Sequence, residues 1–105
     1  MYVYGGVKLD KNKAIDKVKL KGFDFESDIL EMCIYPDIIE GNLIEDAFGV
    51  KVFENCLESG WFIWIDPCTI ANWSHTCYYY FITETDMYEK SHGWMPTFSN
   101  MEKLI

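Results

Sequence analysis

Two short stretches, Trp61-Phe-Ile-Trp-Ile65 and Cys77-Tyr-Tyr-Tyr-Phe-Ile-Thr83, decide the fold of this chain. Both consist almost entirely of aromatic and β-branched residues, which are enriched in β-strands. Asp66-Pro67 ends the first stretch, because proline has no N–H to give to a sheet. We therefore predict two strands that pair antiparallel across a loop at 66–76.

Both faces of this predicted hairpin are apolar. Side chains alternate along a strand, so Tyr78 and Tyr80 face away from Tyr79, and Trp64 faces away from Ile63. Either other elements cover both faces to make a core, or one face is a docking surface, where tyrosine and tryptophan are the enriched residue types. The sequence leaves both alternatives open.

The remaining segments predict further strands. Residues 2–9 and 14–20 have patterns that suit an N-terminal hairpin, and 50–53 has the pattern of another strand. The stretch Ser27–Ile34 is either a short helix capped by Ser27 or a buried strand, because periodicity does not separate the two for a short apolar run. Pro36 ends whichever element forms.

Short helices are predicted after Asn42, over 86–90 and after Ser99, each near a residue that favours an N-cap position. The first helix would bury the apolar side chains of Leu43, Ala47 and Phe48. It would end at Gly49, which suits a left-handed position past a helix. Because strands do not alternate with long helices, we predict an α+β fold in a single small domain, 1–105, with a mostly antiparallel sheet and two or three short helices.

The charge of the chain is strongly uneven. Nine basic residues, all lysine, stand against 17 acidic ones, for a net charge of −8. Residues 1–21 balance at +4 and residues 22–105 at −12, the latter with three lysines against 15 acids. Nucleic acid phosphates repel such a body, so we expect no nucleic-acid partner and instead a protein partner with a basic surface. The alternative is that the charge only keeps the protein soluble.

The sequence predicts neither a membrane segment nor export. No apolar run approaches the roughly 20 residues of a spanning helix, and residues 1–6 lack the basic start of a signal peptide. We expect a cytoplasmic protein with no membrane partner and with its four cysteines reduced. Abundant lysine, isoleucine and tyrosine without any arginine indicate an AT-rich genome, such as that of a low-GC bacterium or its phage.

One group of residues has the chemistry of a metal or thiol site. Cys68, His75 and Cys77 lie close in sequence, and Cys56 or His92 would supply a fourth zinc ligand. The spacing is poor, because structural zinc sites usually carry pairs of ligands two to four residues apart. Cys68 with His75 is also the one serviceable pair for nucleophilic catalysis. We predict no catalytic residue, no metal and no cofactor, with a small-molecule or zinc-dependent activity at Cys68, His75 and Cys77 as an alternative.

The leading prediction is a non-enzymatic, acidic protein-binding module. Small acidic inhibitors occur among phage anti-defence proteins and toxin-immunity proteins, and this analogy of composition suggests an inhibitor of a host defence or toxin protein. The expected contact residues combine aromatic side chains with two acids: Trp64, Tyr78, Tyr80, Trp73, Trp94, Glu84 and Asp86. A further alternative is a structural homodimer formed through the aromatic hairpin.

Overall fold

The predicted hairpin lies at the centre of one antiparallel sheet. The computed structural model describes residues 9–70 and 75–105, and over these ranges the elements follow in this order: α1 (Lys11–Lys19), β1 (Glu31–Ile34), β2 (Ile39–Glu40), a 3-10 turn (Gly41–Leu43), β3 (Ser59–Asp66), β4 (Cys77–Ile82), β5 (Met87–His92) and β6 (Glu102–Lys103). Strands β3 and β4 pair antiparallel, with Trp64 opposite Tyr79. The two strands and their pairing are therefore confirmed.

All pairings between these strands are antiparallel. The strand order is β5-β4-β3-β1-β6, and the short β2 pairs with the start of β3. Gly60 lies where β2, β3 and β4 meet, opposite Ile39. A Cβ atom on Gly60 would lie 2.3 Å from the carbonyl oxygen of Ile82. Only glycine lets the three strands approach this closely.

The first face of the sheet is covered by α1. Ala14 and Val18 are four residues apart, so both lie on one side of the helix, and both are fully buried. They belong to one core cluster with side chains that β3 and β4 present to this face: Ile63, Ile65, Tyr80 and Ile82. Full burial of one large apolar side chain contributes about 1.5–3 kcal/mol to folding, so this layer is a substantial core.

The second face of the sheet is covered by irregular chain. Residues from two loop segments pack in one cluster with Phe62, Trp64, Tyr79 and Phe81: Ile44, Val52, Phe53, Phe98 and Met101. The ring centroids of Phe53 and Phe81 are 5.9 Å apart, and those of Phe62 and Phe98 are 6.0 Å apart. Both faces of the hairpin are therefore packed, and its aromatic side chains form core on both sides.

The prediction of an N-terminal hairpin is corrected by α1. Residues 14–20 form most of this helix and its end, while residues 2–8 of the other predicted strand lie outside the described residues. Asp10 caps the helix, since its carboxylate accepts a hydrogen bond of 2.8 Å from the Lys13 N–H. The lysines of this segment lie on the solvated side of a short amphipathic helix. This arrangement explains why they alternate with apolar residues in the sequence.

The helix predicted after Asn42 is also wrong. Only the 3-10 turn forms, and the chain then folds back at Asp46, whose N–H donates to the Val50 carbonyl. The side chains of three residues predicted to be buried are exposed instead: Leu43, Ala47 and Phe48. Gly49 does adopt the predicted left-handed conformation, with φ of 78°, but it closes this turn.

The two later helix predictions fail because the chain pairs across strands instead. Residues 86–90 lie largely in β5, which pairs with β4 along its whole length, and Glu102 after Ser99 begins β6. The ambiguous stretch Ser27–Ile34 ends in β1, and 50–53 contributes only a bridge between Lys51 and Glu45. The α+β class with an antiparallel sheet is confirmed. The prediction of two or three helices is wrong for the described residues, which contain one α-helix and one 3-10 turn.

No helix within residues 9–70 and 75–105 is long and apolar enough to cross a membrane.

Candidate functional site

The structure separates the residues that the sequence groups into one contact surface. Trp64 is 5% exposed and Tyr80 is fully buried. Tyr78 is half-buried, and its ring centroid lies 5.0 Å from that of Phe23. Trp73 lies outside the described residues. The centre of the hairpin is therefore core, and a docking surface has to be sought elsewhere.

Glu84 and Asp86 are exposed at the turn between β4 and β5. The Thr83 hydroxyl accepts a hydrogen bond of 2.9 Å from the Asp86 N–H and fixes this turn. Trp94 follows β5 at the opposite end of the same hairpin. A six-residue strand is roughly 20 Å long, so the two acids and Trp94 lie on different parts of the surface.

Trp94 belongs to an exposed apolar patch that the sequence analysis did not define. The patch consists of large side chains that are each 44% to 68% exposed, and we call it the Phe48–Trp94 patch: Phe48, Val50, Trp94 and Met95. The rings of Phe48 and Trp94 meet edge to face, with centroids 4.8 Å apart. The Ala47 N–H donates to the Met95 carbonyl oxygen at 2.9 Å, so two separate chain segments present these side chains together.

A buried carboxylate holds the turn that carries Phe48. Asp46 is 3% exposed. Its Oδ1 accepts hydrogen bonds from the N–H groups of Phe48 at 2.8 Å and Val50 at 3.1 Å, while its Oδ2 lies 2.7 Å from His92 Nε2. Burial alone would raise the pKa of Asp46, but the hydrogen bonds from His92 and the two backbone amides lower this pKa below its usual value.

The buried Tyr79 side chain binds the other segment of the patch, which carries Trp94 and Met95. Its hydroxyl donates a hydrogen bond of 2.8 Å to the Trp94 carbonyl oxygen. Its ring also packs edge-on against His92, with centroids 5.4 Å apart. Buried polar side chains of the core are therefore bonded to the backbone of both segments that carry the exposed aromatic side chains.

A second cluster of polar side chains lies at the end of β3. His75 Nε2 lies 2.6 Å from Asp66 Oδ1, and the Cys77 thiol faces the His75 carbonyl oxygen at 3.8 Å. One ligand atom from each of these three residues can be chosen so that all lie within 4.8 Å of one another. The structure thus brings His75 and Cys77 together as the sequence suggested.

Cys68, the third residue of the predicted group, does not join this cluster, and Asp66 takes its place. The Cys68 N–H donates to Asp66 Oδ1 at 3.0 Å, so the chain turns away directly after the strand. In the sequence, Asp66 marks only the end of a strand. The signal for its place in the cluster is that Asp66 falls two residues after Trp64, on the face of the sheet where Cys77 also lies.

Three of the four thiols are poor nucleophiles in this fold. Burial, reinforced by Glu31, raises the pKa of Cys33 to about 11. Burial and the charge of Asp66 raise the pKa of Cys77 to about 12, and burial also raises the pKa of Cys56. A thiol with such a pKa is protonated at neutral pH, and only the thiolate attacks.

A surface depression beside β5 has a volume of about 550 Å³. Lys51, Glu54, Cys56, Tyr88 and Lys90 are among the residues that border it. The Tyr88 hydroxyl donates to the Glu58 carboxylate, which raises the pKa of Tyr88 to about 12. The Cys56 thiol and the Tyr88 phenol at its edge are therefore both protonated at neutral pH.

Comparison with known proteins gives no match: no family model, no curated protein and no solved structure is similar to this chain. Function therefore has to be argued from the sites themselves.

Proposed function

We propose that the protein is a non-enzymatic protein-binding module and that its docking surface is the Phe48–Trp94 patch. The observation that carries the proposal is the exposed aromatic pair of Phe48 and Trp94, held in place by the buried Asp46–His92 pair and by Tyr79. Core packing alone does not require such a network, because the side chains that it positions point into solvent.

The side chains of the patch are those that stabilise protein interfaces. Tryptophan, phenylalanine and methionine are enriched in interface cores, and tryptophan is frequent among residues that dominate binding energy. Phe48 is 68% exposed and Met95 is 57% exposed. Burying one such side chain against a partner contributes about 1.5–3 kcal/mol. A fixed surface also loses less entropy on binding than a mobile one.

Charge indicates a basic partner. The lysine-rich helix α1 covers one face of the sheet, whereas the patch lies with the loop segments that cover the other face. Residues 22–105 carry −12, so the patch is set in the acidic part of the chain. Lys51, the cation nearest to the patch in sequence, donates a hydrogen bond of 2.6 Å to the Asn42 carbonyl oxygen. A partner that presents apolar pockets within a basic surface complements this side of the molecule.

The composition extends the proposal to the kind of partner. Small acidic proteins that inhibit a host defence or toxin protein have a similar charge, and we propose that this protein is such an inhibitor. Of the residues predicted from the sequence, Trp94 belongs to the proposed surface. Trp64 and Tyr80 are excluded from it by burial, and Glu84 and Asp86 lie at the far end of the hairpin.

The experiment is affinity capture with matched variants. The wild-type protein, Phe48→Ser/Trp94→Ser and the control Leu20→Ser/Leu57→Ser are immobilised. Each is exposed to lysate of the bacterium that encodes the chain or, for a phage protein, of the host bacterium. Leu20 and Leu57 are 86% and 71% exposed, so the control also removes two exposed apolar side chains. We expect a protein that the wild type and the control retain and the patch variant loses.

The captured protein is then purified and titrated at several salt concentrations. A dissociation constant that rises with salt supports the basic surface, because exposed charges are screened. Equal capture by all three forms would rule out the patch as the docking surface. Light scattering of the free protein tests the remaining alternative, since a dimer abolished by the patch variant would make the partner a second copy of this chain.

A further inference from the structure

We propose that Asp66, His75 and Cys77 bind a divalent transition metal ion, with zinc as the ion that their chemistry fits best. This site is distinct from the Phe48–Trp94 patch and does not depend on the proposed function.

The strand register brings the three ligands together. Ile65 pairs with Tyr78, so the next residues outward, Asp66 and Cys77, lie side by side at the end of the hairpin. His75 precedes Cys77 by two residues, just before β4 begins, and its Nε2 lies 2.6 Å from Asp66 Oδ1. Two of the three ligands thus lie at the ends of paired strands, where the register sets their separation.

The distances suit a small ion. In a tetrahedral zinc site with bond lengths of about 2.0–2.3 Å, ligand atoms lie roughly 3.3–3.8 Å apart. The chosen ligand atoms of Asp66, His75 and Cys77 all lie within 4.8 Å of one another. The carboxylate and imidazole are closer, with Asp66 Oδ1 at 2.6 Å from His75 Nε2, as expected where a hydrogen bond takes the place of the metal. Shifts of about 1 Å convert one arrangement into the other.

The donor atoms select the kind of metal. Calcium and magnesium take oxygen ligands, so a thiolate and an imidazole argue against them. Zinc binds sulfur, nitrogen and carboxylate oxygen together, and cobalt(II) accepts the same set. Three protein ligands leave a fourth position, which we assign to water because no fourth ligand from residues 9–70 and 75–105 joins the cluster.

A buried indole N–H supplies a second, independent observation. Trp64 Nε1 is buried and has no hydrogen-bond partner among the described residues. Trp64 belongs to the same buried cluster as Cys77 and pairs with Tyr79, so the two side chains are diagonal neighbours on one face of the sheet. A neutral thiol is a weak acceptor, whereas a metal-bound thiolate accepts N–H groups well, and such outer contacts are typical of metal sites. Metal binding at Cys77 would therefore satisfy this N–H.

The test is metal binding to the purified full chain, with cobalt(II) and zinc as probes. We expect one equivalent of zinc per chain by elemental analysis after dialysis, and a sulfur-to-cobalt charge-transfer absorption when cobalt is added. Cys77→Ser should abolish that absorption. His75→Ala and Asp66→Asn should each weaken cobalt binding at least tenfold, and His75 is the safest of the three to change because it is only half-buried.

Two cysteine variants serve as controls. Cys56→Ser and Cys68→Ser should keep both the stoichiometry and the absorption, because neither residue belongs to the cluster. Near-UV circular dichroism of each variant shows whether the fold is intact. Absence of bound metal in the folded wild type overturns the proposal. Loss of the absorption in Cys68→Ser with full binding in Asp66→Asn overturns it as well, because the ligands would then be those that the sequence alone suggested.

Discussion

Replacing Tyr79 by phenylalanine tests whether the core holds the Phe48–Trp94 patch in place. The change removes the hydrogen bond of 2.8 Å from the hydroxyl to the Trp94 carbonyl oxygen. The ring remains, stacked on Phe62 with centroids 5.4 Å apart and edge-on to His92 at the same distance. Because no cavity forms, the free energy of unfolding should fall by the value of one neutral hydrogen bond, about 0.5–1.5 kcal/mol.

The loss should be concentrated in the patch. The Ala47 N–H donates to the Met95 carbonyl at 2.9 Å and the Thr97 N–H donates to the Glu45 carbonyl at 3.0 Å. These two bonds join the segments that carry the patch. When Tyr79 no longer anchors Trp94, local opening of the pair becomes easier by about 1 kcal/mol, so exchange of both amide protons should accelerate roughly five- to tenfold.

Amide hydrogen exchange followed by NMR measures this effect, with Tyr80→Phe as the matched control. Tyr80 is as deeply buried as Tyr79, but its hydroxyl donates to Glu89 and it belongs to the cluster on the opposite face. Tyr80→Phe should therefore leave exchange at Ala47 and Thr97 unchanged. Equal acceleration in both variants, or none in Tyr79→Phe, would show that the Trp94 hydrogen bond does not hold the patch.

Three further predictions concern the patch, the carboxylate that supports it, and the buried thiols. Phe48→Ser/Trp94→Ser should lower the free energy of unfolding, measured in urea, by less than the roughly 3–5 kcal/mol that removing one buried aromatic side chain costs, and a larger loss would mean that the patch is part of the core. The pKa of Asp46 is lowered from 3.8, so its ionised form stabilises the fold above that pH, and the stabilisation is lost as the pH falls through the lowered value. In urea titrations at several pH values, Asp46→Asn should remove this loss of stability at acid pH. A free energy of unfolding that falls with pH as steeply as in the wild type would refute the role of Asp46. Cys33 and Cys77, with pKa values of about 11 and 12, should react with iodoacetamide at pH 8 far more slowly in the native protein than in urea, and equal rates would contradict their burial.

The sequence predicts the centre of the fold because local preference and tertiary structure agree there. Strands β3 and β4 are long runs of aromatic and β-branched residues. Their local preference for strands and the burial of their apolar side chains both favour the observed pairing. Strand β5 shows the opposite case. Its sequence, Met87-Tyr-Glu-Lys-Ser-His92, has no apolar alternation, and its side chains are half-buried or exposed. It is a strand because β4 offers it a free edge, which no local pattern reveals.

The error at α1 has a different physical cause. Only Ala14 and Val18 are buried in this helix, so its apolar stripe is too narrow to give a clear helical period. Asp10 was the available signal, as an N-cap residue ahead of a lysine-rich segment, but a polar turn explains the same residue equally well. Whether a short helix forms depends mainly on the surface against which it packs, here one face of β3 and β4, and less on its own sequence.

The candidate sites were hard to predict for a related reason. His75 and Cys77 are close in sequence and could be grouped in advance, whereas Asp66 reaches them only through the register of β3 with β4. The Phe48–Trp94 patch depends on contacts between residues more than 40 positions apart, such as Asp46 with His92. Sequence reasoning can find the residue types of such a site, but the long-range pairing that assembles it is visible only in the folded chain.

Both candidate sites lie at the same end of the central hairpin, and the packing explains why. Along the middle of β3 and β4, each side chain is committed to one of two cores, so none is available to a ligand or a partner. At the end where Cys77 pairs with His92, the two core layers finish and the chain leaves the sheet in several directions. Polar side chains there can be buried against one another, as Asp66 is with His75 and Asp46 with His92, while neighbouring loops remain exposed. Under both proposals the aromatic hairpin is the support that fixes this end, so we expect substitutions at the end to change binding and substitutions along its middle to change stability.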